Sequence, residues 1–167
     1  MSPRSLRRIS PDKAWLRRFI LLVTGLVTIG SAAACEAQPR VVISTQSGSE
    51  VAFHVEVADT PAKRELGLQY RKELGIDRGM IFLFAAEAPQ TFWMKNTPIS
   101  LDMIFINRDR KIVGIIEQTV PYSLESRSVG VPSQYVLEIN GGLANRHGIR
   151  SGDRVRFEGM PTDGVRE

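Results

Sequence analysis

The run GMIFLF, residues 79–84, is apolar at every position after its glycine. Successive side chains of a strand point to opposite faces, so an unbroken apolar run is a strand covered on both sides. That places residues 79–84 at the centre of a sheet. The flanking segments read as the rest of the sheet. In EVAFHVEVA (50–58), Phe53, Val55 and Val57 share one face while His54 and Glu56 share the other. With RVVIST (40–45) it flanks the turn-rich QSGS (46–49), so the two form a hairpin. LDMIFIN (101–107) and KIVGIIE (111–117) flank RDR as a second hairpin. QYVLEIN (134–140) is a further strand, and RSGDRVRFEG (150–159) a glycine–aspartate turn with a last one. DTPAKRELGL (59–68) predicts a short helix: Thr60 caps it, Pro61 takes its first position and Gly67 ends it. GGLANRHGI (141–149) is a second short helix or a turn. The expected fold is mainly β, a compact antiparallel β sandwich or small barrel with one or two short helices.

The first 37 residues stand apart. Residues 1–18 carry Arg4, Arg7, Arg8, Lys13, Arg17 and Arg18 against one acid, Asp12. Residues 19–34 are uncharged and end in small side chains. The run is shorter than the roughly 20 apolar residues of a spanning helix. A basic head, an apolar run and small residues are the pattern of a secretory signal peptide. Two cleavage points stay open. SAAAC resembles a weak lipobox, which would leave Cys35 as a lipidated first residue; cleavage after Ala37 would discard the cysteine and start the protein at Gln38. The domain organisation expected is therefore a leader over 1–37, one mainly-β domain over 38–160 and a polar tail over 161–167. The protein is expected to be exported to the bacterial periplasm or cell envelope, touching membrane only through its leader or a lipid on Cys35.

Trimming the leader changes the charge. The full chain is +4, but residues 1–35 hold six of its 22 basic and one of its 18 acidic residues. The remainder has 16 basic and 17 acidic side chains. The basic balance belongs to the leader and gives no support for nucleic acid as a partner. Cys35 is the only cysteine, so the domain has neither an internal disulfide nor a cysteine metal site.

TPAKRELGLQYRKEL, RGMIFLF, FWMKNTPISLDMIFI and YVLEINGG…HGIRSGDRV occur here in the order and at about the spacing of the domain-of-unknown-function 192 family. The chain resembles that family from about Val41 to Phe157. The resemblance implies a small prokaryotic protein, often exported, with a compact mainly-β domain and no established activity. The segment 117–134 lies between these blocks.

The polar residues of TFWMKNTPISLDMIFI (91–106) are the candidates for a site. Trp93 and Met94 point to opposite faces of an extended chain, so one can anchor inside while the other meets a ligand. Lys95 points back with Trp93, and Asn96 begins a turn before Thr97-Pro98. Asp102 shares a strand face with Ile104 and Ile106, and Glu138 one with Val136. A buried acid needs a partner, and Lys95 and Arg78 are the cations at hand. The first reading is a structural ion-pair cluster; the second is a ligand site of Trp93, Lys95, Asn96, Asp102, Glu138 and Arg78, suited to an anionic or hydroxyl-rich ligand.

The sequence shows no Gly-rich phosphate loop, and neither His54 nor His147 sits in a nucleophile–base motif. No cofactor is expected. Met80, Met94 and Met103 are soft ligands, but they lack a metal-binding spacing and fall in core patterns, so no metal is expected. The leading expectation is a non-enzymatic envelope domain that binds a small molecule or an envelope protein. An envelope hydrolase or transferase using Lys95, Asp102 and Glu138 is the alternative, and a copper carrier comes third.

Overall fold

The structure is a computed structural model that describes residues 38–160. The leader, Cys35 with its two candidate cuts, and the tail 161–167 lie outside the described residues. Within them the order is β1 (Arg40–Ser44), β2 (Glu50–Ala58), α1 (Pro61–Leu66), β3 (Arg78–Pro89), β4 (Leu101–Ile106), β5 (Ile112–Ile116), β6 (Pro132–Asn140), α2 (Leu143–Arg146) and β7 (Arg154–Glu158). The seven strands form one sheet in the order β5-β4-β6-β3-β2-β1-β7. The sheet curls into a half-barrel, and a bridge between Lys111 and Arg154 brings its two edges together at one end. No helix among the described residues is long and apolar enough to cross a membrane.

The two hairpins form as the turns require: β1 pairs with β2 and β4 with β5, both antiparallel. Of the six strand pairings five are antiparallel; β2 and β3 are parallel, which makes the sheet mixed. The reason lies in the connection. Parallel neighbours need a long crossover, usually helical. Residues 59–77 supply it, with α1 capped by the Thr60 side chain, which accepts from the Lys63 N–H at 3.3 Å.

β3 has β2 on one side and β6 on the other, and Met80–Leu83 are buried, as the apolar run requires. The two faces of β3, β4 and β6 feed two separate cores. The concave face carries Ile81, Leu83, Ile104, Ile106, Leu137 and Ile139. The other carries Met80, Phe82, Met103, Phe105 and Val136. That second face is roofed by loops, not by another sheet: Leu68 from the segment after α1 and Phe92 and Met94 from the segment after β3 pack against it. The roof leaves an opening, and the candidate site lies there.

Candidate functional site

The opening is a cleft of about 320 Å³ between the roof loops and the outer face of β3 and β6. β3 contributes Phe82 and Phe84, two residues apart and therefore on one face. The loop after β3 contributes Phe92, Trp93 and Lys95, and the end of α1 contributes Arg64 and Gly67. Phe92 is the keystone of the wall. Its ring meets those of Phe82, Phe84 and Phe105 edge-to-face at 5.0, 6.4 and 6.0 Å between centroids. Gly67 has φ 50°, and a Cβ there would lie 3.3 Å from the Phe82 ring, so glycine lets the helix end descend to the aromatic wall.

Glu138 lines the same cleft from β6. The residue is only 4% exposed. Its cross-strand neighbours are Met80 on β3 and Met103 on β4, so the carboxyl is flanked by thioethers on both sides. Among the described residues it makes neither a hydrogen bond nor an ion pair. Removal from water without compensation disfavours the charged form, and burial pushes the Glu138 carboxyl up to about 8. It is therefore largely neutral at pH 7, able both to donate and to accept a hydrogen bond.

The cations are arranged differently. Lys95 is exposed, and its Nζ lies over the Trp93 indole, 5.1 Å from the ring centroid. Arg64 donates from Nη1 to the Leu83 carbonyl at 2.9 Å, and its guanidinium lies 5.4 Å from the centroid of Phe84. Trp93 itself is 51% exposed while Met94 is fully buried, the division that adjacent positions on an extended chain impose. The Met94 sulfur accepts a hydrogen bond from the Thr119 hydroxyl at 3.2 Å, and Met94, Met80 and Met103 are all part of the outer core.

The six candidate residues do not converge. Trp93, Lys95 and Glu138 share the cleft. Asp102 lies on the opposite face, because its partner in β6 is Ile139 and not Glu138. The expectation that Asp102 pairs with Lys95 or Arg78 is corrected by its contacts. Oδ1 accepts from the N–H groups of Gln118 (2.7 Å) and Gly142 (2.9 Å), and Oδ2 from that of Ala144 (2.8 Å). A buried charge needs compensation, and here backbone amides at the start of α2 supply it where a cation was expected. Asp102 thus fastens α2 and the segment after β5 to β4.

Asn96 is also structural in its contacts. It adopts φ 53° and donates from Nδ2 to the Gln69 side-chain carbonyl (3.0 Å) and to the Tyr70 hydroxyl (2.8 Å), while its own carbonyl accepts from the Tyr70 N–H at 2.7 Å. It ties the two roof loops together and thereby sets the width of the cleft. Among the described residues Arg78 forms no ion pair with either acid; it pairs with Asp77 at 3.8 Å. Together with His54 it lines a larger cavity of about 700 Å³ at the start of β3. His54 is less solvated than its polar face suggests, since its Nδ1 is buried without a hydrogen-bond partner among the described residues. The smaller cleft is nevertheless the better candidate site. Arg71 and Glu56, which line the larger cavity, neutralise each other at 2.6 Å, whereas in the smaller cleft Glu138 is buried without an ion-pair partner among the described residues.

Phe82, Phe84, Arg64 and Gly67 were not legible as site residues. The spacing of Phe82 and Phe84 marks a shared face, but which face opens to a cleft depends on loops far away in sequence.

The DUF192 family, described as "Uncharacterized ACR", matches residues 42–157. No curated protein matches the chain. Among solved structures, a candidate transcription regulator of Sinorhizobium meliloti 1021 is similar at 42% identity and a TM-score of 0.71, over 74% of this chain and 96% of that one. A protein of unknown function from Novosphingobium aromaticivorans DSM 12444 is similar at 44% identity and a TM-score of 0.68, over 70% of this chain and 83% of that one.

Proposed function

The chain belongs to the DUF192 family, and on that premise we propose that it is a small exported domain of the bacterial envelope that binds, without transforming it, a small molecule over Glu138. The observation that carries this reading is the Glu138 carboxyl: buried, uncompensated and facing a cleft. An acid in that position lowers stability unless something occupies the cleft. Structure alone has no use for it, since an apolar residue between Met80 and Met103 would pack without penalty. Aromatic walls with a few polar groups are the usual make-up of small-ligand sites. The export part rests on the basic head, apolar run and small residues that precede Gln38.

The regulator description of the Sinorhizobium protein is not carried over, because outside residues 1–35 acidic side chains outnumber basic ones by 17 to 16. The enzyme reading survives in reduced form. Asp102 is occupied by backbone amides, but a carboxyl pushed up to about 8 suits a general acid at neutral pH.

Trp93 is the only tryptophan after residue 37 and so reports on the cleft. The chain recovered from cells, titrated with a small-molecule extract of the envelope, is expected to change its Trp93 emission. Phe92→Ala, which takes down the wall, is expected to abolish the change while the fold persists by circular dichroism. An emission unaltered by the extract would sink the binding reading.

A further inference from the structure

We propose that the cleft is built for a zwitterion: a compact molecule whose ammonium group seats against Glu138 and whose acidic end meets Lys95 and Arg64 at the rim. The inference rests on the binding function proposed above and names its ligand class.

The cleft is bipolar, and its polarity follows from depth. Among the described residues the ionisable side chain at the floor is Glu138, with Met80 and Met103 as its neighbours on β3 and β4. At the rim stand Lys95 from the loop after β3, and Arg64 and the exposed Glu65 from α1. Among the described residues the rim thus carries two cations and one carboxylate. A simple amine would meet that rim unfavourably on entry, and a simple carboxylate would bring a second acid to Glu138. A molecule with a cationic inner end and an anionic outer end complements both.

The wall favours the cation independently. The face of an aromatic ring attracts positive charge. Both cations of the cleft already use such faces: Lys95 that of Trp93 at 5.1 Å and Arg64 that of Phe84 at 5.4 Å. Phe82 and Phe92, which meet edge to face at 86°, add two more rings to the lining. The volume, about 320 Å³, suits a molecule of amino-acid size, at the lower end of the roughly 300–1,000 Å³ of small-ligand sites.

The proton balance gives the proposal its signature. The free carboxyl holds a proton at pH 7, because burial pushes it up to about 8. An arriving ammonium keeps its own protons and stabilises the carboxylate, so the Glu138 proton leaves to solvent. Close to one proton is released per ligand at pH 7, and the release falls away above pH 8. A hydroxylated ligand would bind the neutral acid and release none.

The test is isothermal titration calorimetry of the chain recovered from cells at pH 7, in phosphate and in Tris, whose ionisation enthalpies differ. The probes are 6-aminohexanoate, hexanoate and methyl glucoside. The expected result is binding of 6-aminohexanoate alone, with release of about one proton read from the difference between buffers. Glu138→Gln is expected to weaken that binding at least tenfold and abolish the release. Lys95→Met, at an exposed position, is expected to weaken it several-fold with the release retained. Binding of hexanoate or methyl glucoside as tightly as 6-aminohexanoate, or binding without release, would overturn the zwitterion and leave the ligand cleft standing. So would failure of all three probes alongside a Trp93 response to the envelope extract. Loss of that response as well would remove the cleft reading itself.

Discussion

Replacing Glu138 by glutamine keeps the shape of the side chain and removes its titration. The consequence for stability follows from the carboxyl's two environments. Unfolded, it titrates near 4.5; folded, near 8. Below pH 4.5 both states hold the proton and the group contributes no difference. As pH rises, the unfolded chain gives up its proton while the folded one keeps it. The folded state then binds more protons, so stability falls with rising pH until about pH 8 and is flat beyond. At about 1.4 kcal/mol per unit of pKa difference, the loss reaches about 3 kcal/mol at pH 7 and about 5 kcal/mol at pH 9. That is a large part of the roughly 5–15 kcal/mol of an ordinary domain. Glu138→Gln is free of this term, and the other titrating groups cancel when the two proteins are compared. The assay is urea unfolding followed by Trp93 fluorescence at pH 5, 7 and 9, without ligand. The variant's advantage is expected to grow by about 4 kcal/mol between pH 5 and pH 9, from the same per-unit figure. An advantage constant to within about 1 kcal/mol across that range would refute the reasoning, because the carboxyl would then be compensated in solution.

Asp102→Asn is expected to destabilise the fold by about 3–5 kcal/mol in the same assay, since it replaces one accepting oxygen by an amide NH2 donor that faces N–H donors already in place, and removes a buried charge from them. Recovery of wild-type stability in that variant would show that the amides of Gly142 and Ala144 find other partners. Lys95→Met is expected to change stability by less than about 1 kcal/mol, the value of one exposed cation–π contact. A loss of several kcal/mol would place Lys95 in a structural ion pair after all. Mass spectrometry of the native protein is expected to find a start at Cys35, carrying lipid, or at Gln38; Met1 retained on the mature protein would end the export reading.

The strands could be read because their signal is local. Alternation in residues 50–58, the apolar run at 79–84 and the turn residues between them are each consequences of side chains pointing up and down a pleated chain. The α1 helix could be read for the same reason, from Thr60, Pro61 and Gly67. The parallel pairing of β2 with β3 could not, because pairing direction depends on how the long 59–77 connection lies, and nothing local records that.

The site was legible by residue type and not by arrangement. That two acids stand on apolar strand faces was plain in the sequence, and both are buried. Their fates then diverge. Strand register sets Asp102 opposite Ile139 and Glu138 opposite Met103, on different faces of the sheet. One carboxylate meets the amides at the start of α2, 40 and 42 residues further along the chain at Gly142 and Ala144. The other meets no partner among the described residues and opens to a cleft whose walls come from α1, β3 and the loop after it. By itself, then, the sequence determined the element types, the two-sided burial of β3, the charge balance and the suspicion attached to Asp102 and Glu138, because each depends on neighbours within a few positions. Only the tertiary structure decided which acid is compensated and which faces a cleft. The electrostatic state of a buried group is set by what distant segments bring within a few ångströms of it, and that is a property of the assembled sheet and its roof.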